Sequence, residues 1–180
     1  APLMVWQDGQ NSTGEFSGLR LITVTENLVN QKLIPPMVHV MIRPGTSTDG
    51  RPMRSVEYDT VSDRYPRFLM QEVLPEVEKM YKLRQDGYSR AIAGESSGGI
   101  CAFNAAWFMP EKFTRVHSAV GSFTSIQWRS KENNDGGNVY PFMVRKDPKR
   151  NIRVWMSDGA DDLENNHGSW PMQNIEMANS

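Results

Sequence analysis

The stretch "RAIAGESSGGICAFNAAWFM", residues 90–109, constrains the fold more than any other part of the chain. A short apolar run ends in glycines, serines and one carboxylate, and apolar residues resume at once. A strand therefore has to turn directly into a helix. Ser96 stands between Gly94 and Gly98 in the spacing G-x-S-x-G. On a sharp strand-to-helix turn this spacing lifts the serine hydroxyl above the sheet. It also crowds the backbone two residues to either side, where small residues are needed. Gly94 and Gly98 meet that demand, and Gly99 adds clearance. The N–H of Ser97, at the helix start, is an expected oxyanion donor. Ser97 is the rival nucleophile, but it lacks a glycine two residues before it. The other reading of these residues is a phosphate-binding βα turn. Against it, the sequence has neither G-x-x-x-x-G-K-[ST] nor G-x-G-x-x-G here.

The rest of the chain alternates between strand and helix patterns. Strands are expected at 3–7, 37–42, 90–94, 116–123 and 151–159. Helices are expected at 19–30, 64–83, directly after the glycines, and from 171. In the long helix Phe68, Leu69, Val73, Val77 and Met80 fall near one stripe, and Pro75 is a candidate kink. A polar, glycine-rich loop is expected at 9–18 and a long loop at 43–63; loops of that length are often functional. This order predicts an α/β fold: a mainly parallel sheet with helices on both faces, its ligands bound beyond the carboxyl ends of the strands.

With 180 residues the chain suits one domain. The formal net charge of −1 argues against a nucleic-acid-binding surface. No apolar run approaches the ~20 residues of a membrane span, and no signal peptide is visible. The compartment stays open. Cys101 is the single cysteine and is read as a small buried hydrophobe. Trp6, Trp128, Trp155 and Trp170 are candidates for an aromatic or sugar subsite or for the core.

A weakly nucleophilic serine needs a base and a carboxylate to orient that base. Asp158, Asp161 and Asp162 all follow the last clear strand and are candidate acids. There are three histidines. His39 and His117 are read as structural strand residues. His167, in "NNHGSW", is the candidate base within this chain.

Three segments carry a resemblance: "RSVEYDTVSDRYPRFLMQEVLPEVEKMY", "RAIAGESSGGICAFNAAWFMPEKFTRVHSAVGSF" and "IRVWMSDGADDLENNHGSWPMQN". They resemble the esterase family of α/β hydrolases that includes esterase D, enterochelin-esterase-like proteins, and feruloyl and acetyl-xylan esterases. The resemblance implies an α/β-hydrolase core with Ser96 as nucleophile and Asp162 as triad acid, Asp161 being the fallback. It places the second oxyanion N–H on Gly9 or Gln10, and puts Arg54 to Tyr58 near the mouth of the active site. It implies a serine carboxylic-ester hydrolase acting on a small-molecule or carbohydrate ester, without metal or organic cofactor. The alternatives are an acyltransferase or a catalytically silent binding protein of the same fold. In the family other strands precede the first one here, and the catalytic histidine follows the acid after a further helix and strand. The domain is therefore expected to be incomplete over 1–180, with exposed sheet edges that favour self-association.

Overall fold

The computed structural model describes residues 1–14, 18–130 and 136–180. Part of the polar loop expected after the first strand, at 15–17, lies outside them. Five parallel strands form the sheet: β1 (Leu3–Gln7), β2 (Val38–Ile42), β3 (Arg90–Glu95), β4 (Arg115–Ala119) and β5 (Arg153–Ser157). Their order is β2-β1-β3-β4-β5. The expected parallel α/β architecture is what forms. The register sets Ala93 of the central strand beside Trp6 on one side and His117 on the other.

Side chains alternate across the sheet and build two unequal cores. Leu3, Val5, Ile92 and Val116 point to one face and join Ile100, Phe103 and Ala106 of helix α5 (Ser97–Phe108). Each large apolar side chain buried there contributes about 1.5–3 kcal/mol of transfer free energy. Met4, Trp6 and Ala93 point to the other face, where Leu21 of α1 (Leu21–Asn30) covers them. Every residue from Ser97 to Trp107 is buried, so α5 is covered all round and has no solvent face over that span. Its one amide, Asn104, is satisfied: Nδ2 donates to the carbonyls of Tyr58 and Thr60, and Oδ1 accepts from the Tyr140 hydroxyl. That bond ties α5 to the end of α2 (Arg54–Tyr58).

Several boundaries differ from expectation. The loop at 43–63 contains α2, a short helix that lacks a long apolar period. The helix expected over 64–83 is α3 (Arg64–Phe68), a π-helical turn (Leu69–Val73) and α4 (Leu74–Glu78). The wide turn precedes Pro75, which has no N–H for the carbonyl of Gln71 and whose ring needs room there. The N–H of Leu74 reaches back five residues to Leu69. The helix ends before Met80, which is 73% exposed, while Leu69 and Leu74 are fully buried. β4 stops at Ala119 because Val120 is left-handed, with φ 43°. The last strand is shorter than the run 151–159.

Elements that the sequence pattern left unassigned are α6 (Tyr140–Lys146) and a two-stranded hairpin, β6 (Glu164–Asn165) with β7 (Gly168–Ser169). The last helix, α7, runs from Trp170 to Ala178. β2 and β5 are the sheet's edges, and Trp155 on β5 is 60% exposed. Among the described residues no helix is long and apolar enough to cross a membrane.

Candidate active site

Ser96 joins β3 to α5 with φ 57° and ψ −121°, a region that side-chain-bearing residues rarely occupy. The strain is held by packing on both sides. A Cβ added at Gly94 would lie 2.3 Å from the carbonyl oxygen of Gly98, and one at Gly98 would lie 2.9 Å from Cβ of Gln7. Ser96 N donates to Ala119 O at 2.9 Å, and Ser96 O accepts from Ser122 N at 3.1 Å. The spacing G-x-S-x-G thus folds as a sharp turn at the carboxyl end of the central strand.

Ser96 opens onto a cleft of about 750 Å³, lined also by Gln7, Asp8, Gln10, Arg43, Arg54 and His117. Ser97 does not open onto it. Ser97 is buried, and its hydroxyl lies toward the carboxyl of Asp59. Its backbone N–H opens α5 and is one of the donors that a helix start leaves without an intrahelical partner. Gly9 and Gln10 form a 3₁₀ turn after β1, entered through the left-handed residue Asp8, with φ 53°. Gly9 is packed so closely on Met41 that an added Cβ would lie 2.6 Å from that side chain.

Asp8 is fixed by Arg54. The Arg54 Nε donates to both Asp8 oxygens at 3.1 and 3.0 Å, and Nη2 donates to Oδ2 at 2.7 Å. Nη2 also reaches the carbonyl of Glu95 at 3.3 Å. One guanidinium therefore links the turn carrying Gly9 and Gln10 to the residue before Ser96.

The three aspartates differ in setting. Asp158 directly follows β5; its Oδ1 accepts from Gly159 N at 2.8 Å, and its buried Oδ2 has no hydrogen bond of good geometry among the described residues. Burial pushes its carboxyl up, and the nearby Asp162 carboxylate adds to this. Asp162 accepts from Leu163 N at 2.6 Å, and Asp161 is exposed. His167 lies between β6 and β7. Its carbonyl accepts from Ser125 N and Oγ, each at 2.9 Å, which ties it to the loop after β4. His39 accepts from Trp6 Nε1 through Nδ1 at 2.9 Å. His117 lines the cleft with its ring tilted 4.4 Å from Trp155. Burial lowers the pKa of both strand histidines. Among the described residues Ser96 Oγ bonds to no histidine; its partner is Ser122 Oγ at 3.2 Å.

Of the tryptophans, Trp6 lines the cleft and is buried, Trp170 is buried, and Trp128 and Trp155 are exposed. Cys101 is fully buried, which pushes its thiol well up. Asp8, Asp59 and Ser122 carry no local sequence signal for a role in the site. Only the tertiary arrangement brings them to the turn.

The fold has solved relatives. The enterobactin esterase FES from Shigella flexneri is 25% identical, with a TM-score of 0.66 over 85% of this chain and 37% of that one. A ferulic acid esterase, 20% identical, gives 0.70 over 99% of this chain and 71% of that one. An IroE-like serine hydrolase from Shewanella oneidensis, 15% identical, gives 0.67 over 98% and 57%. The chain thus spans little more than a third of the enterobactin esterase. Among curated proteins none matches. The model of the family described as "Putative esterase" matches residues 1–179, and the chain belongs to that family.

Proposed function

We propose that this domain hydrolyses carboxylic esters through an acyl-enzyme on Ser96. The observation that carries the reading is the strained backbone of Ser96 on the lining of a cleft. Strain of this kind costs of order 1–3 kcal/mol and persists where the surrounding structure enforces it. In the proposed reaction Ser96 Oγ bonds to the ester carbonyl carbon while a base takes its proton. The N–H of Ser97, with that of Gly9 or Gln10, holds the oxyanion. The C–O bond to the alcohol breaks as the alcohol oxygen takes that proton. Water then attacks the acyl carbon, releases the carboxylic acid and restores the Ser96 hydroxyl. Asp162 is the proposed triad acid, and Asp158, at the end of β5, is its structural rival. His167 is the candidate base of this chain. A carbohydrate-linked acyl or feruloyl ester is the proposed substrate class.

The second reading is a catalytically silent binding protein of the same fold. The Ser96 hydroxyl's bond to Ser122 in place of a histidine favours it. Fluorophosphonate labelling, followed by intact mass, separates the two. Hydrolysis predicts one adduct that is lost in Ser96→Ala and slowed in His167→Ala. A folded chain that takes up no label supports the silent reading.

A further inference from the structure

We propose that Ser122 donates a hydrogen bond to the reacting oxygen of Ser96, and that Trp170 orients Ser122 for this task. The inference rests on the reading of Ser96 as nucleophile. Ser122 Oγ lies 3.2 Å from Ser96 Oγ and 3.0 Å from Trp170 Nε1. An indole N–H can only donate, so Ser122 Oγ accepts from Trp170. The remaining question is where the hydrogen of Ser122 goes. Ser122 is fully buried, at 0% exposure. Among the described residues its hydroxyl has no bonding partner besides Trp170 and Ser96. If Ser96 were the donor, the Ser122 hydrogen would be left buried without an acceptor, a state protein interiors avoid. The direction is therefore Trp170 to Ser122 to Ser96.

The backbone holds this chain of donors in place. Ser122 N donates to Ser96 O at 3.1 Å, and Val120 N donates to Ser157 O at 2.6 Å. Asn174, one turn after Trp170 on α7, donates to Gly121 O at 2.9 Å. The loop after β4 is thus pinned to the nucleophile on one side and to α7 on the other.

Two consequences follow for the reaction. The hydrogen of Ser96 is not used by Ser122 and stays available to a base. When that proton leaves, the charge on Oγ meets a donor that is already aligned. The same donor assists again when the deacylation intermediate collapses and Ser96 Oγ is the leaving group. Ser122 acts on the reacting oxygen and not on the remainder of the substrate, so its effect falls on kcat and not on KM.

The test uses the full chain and three variants, Ser122→Ala, Ser122→Cys and Trp170→Phe. Cysteine keeps the shape with a slightly larger atom and a weaker donor, and phenylalanine keeps a large ring and removes the N–H. Rate constants for fluorophosphonate labelling at Ser96 are measured from pH 6 to 9, with kcat and KM on p-nitrophenyl acetate and a thermal melt for each protein. Ser122→Ala is expected to slow labelling about 10–100-fold and to move the pH profile to higher pH, with KM unchanged. Ser122→Cys is expected to fall between alanine and wild type, and Trp170→Phe to lose several-fold while folded. A folded Ser122→Ala that labels at the wild-type rate overturns the proposal. A folded Trp170→Phe with wild-type kinetics overturns the orienting role. A wild-type chain that takes no label removes the nucleophile reading itself, and the donor role with it.

Discussion

Arg54 grips Asp8 with two nitrogens and spends a further contact on the carbonyl of Glu95, the residue before Ser96. The pair is partly buried, and Asp8 sits in the left-handed region at the start of the turn that carries Gly9 and Gln10. Hydrogen bonds to charged groups contribute about 1.5–3 kcal/mol each, and a fork of them also fixes direction. Arg54→Ala is therefore expected to lower stability by about 2 kcal/mol and to slow Ser96 labelling more than the melt explains. Arg54→Lys is expected to restore little, because an ammonium cannot reproduce the planar fork. A urea melt and a labelling rate on both variants check this. Lysine at full wild-type rate removes the argument from geometry.

The turn itself predicts a steep penalty for one methyl group. A Cβ at Gly94 would lie 2.3 Å from Gly98 O and 2.4 Å from Gly98 C, both backbone atoms at the start of α5. Neither can shift without moving the helix. Gly94→Ala is expected to cost more than about 4 kcal/mol, a drop in Tm of about 10 °C or more for a domain of this size. Gly159→Ala is the control, since nothing lies within 4 Å of an added Cβ there. Equal melting of the two variants would show that the turn can relax.

Glu57 makes a different kind of contact. Its two oxygens accept from Gly45 N at 3.1 and 3.3 Å, and Gly45 lines the same cleft as Ser96. The bond is exposed, so its contribution to global stability is small. Its loss frees the 43–53 loop without touching the nucleophile. Glu57→Ala is expected to raise KM several-fold, leave kcat within about twofold and leave Tm nearly unchanged. A fall in kcat at constant KM would place the loop in the chemistry instead.

The legibility of this chain follows from what is local. The run into and out of Gly94–Gly99 announced the strand, the turn and the helix because the packing demand falls on adjacent residues. The strands β1, β2 and β3 were readable as short apolar runs for the same reason. The helix over 64–83 was less so: Pro75 marked a disturbance, but the π turn that relieves it depends on the carbonyl of Gln71 and on the packing of Leu69 and Leu74. The hairpin β6–β7 has two residues per strand, too few to show a period. In the site, Ser96 was visible and was set apart from Ser97 by the glycine two residues before it, and the fold agrees in placing Ser96 and not Ser97 on the cleft. Asp59 was invisible, since nothing near it in sequence says that a carboxyl at the end of α2 will be buried.

That carboxyl gives the last prediction. Asp59 is 1% exposed, and among the described residues neither oxygen has a hydrogen bond of good geometry. Burial pushes its pKa up from 3.8 to about 6, opposed in part by the hydroxyls of Ser97 and Ser55 and by the charges of Arg54 and His167. The folded state then holds a proton that the unfolded chain gives up. Stability is unaffected by this group below about pH 4, where both states are protonated. It falls as pH rises through the window from about 4 to 6, and above that window the full penalty of a buried carboxylate remains. The displacement corresponds to about 3 kcal/mol. Asp59→Asn keeps the shape and removes the charge. It is expected to match wild type at pH 4, to exceed it by about 1–3 kcal/mol at pH 8, and to flatten the pH dependence between. Urea melts at pH 4, 6 and 8 measure this. A variant that is less stable than wild type at pH 8 would mean that the ionised carboxylate is stabilised in the fold, with Ser97, Ser55 and Arg54 outweighing its burial.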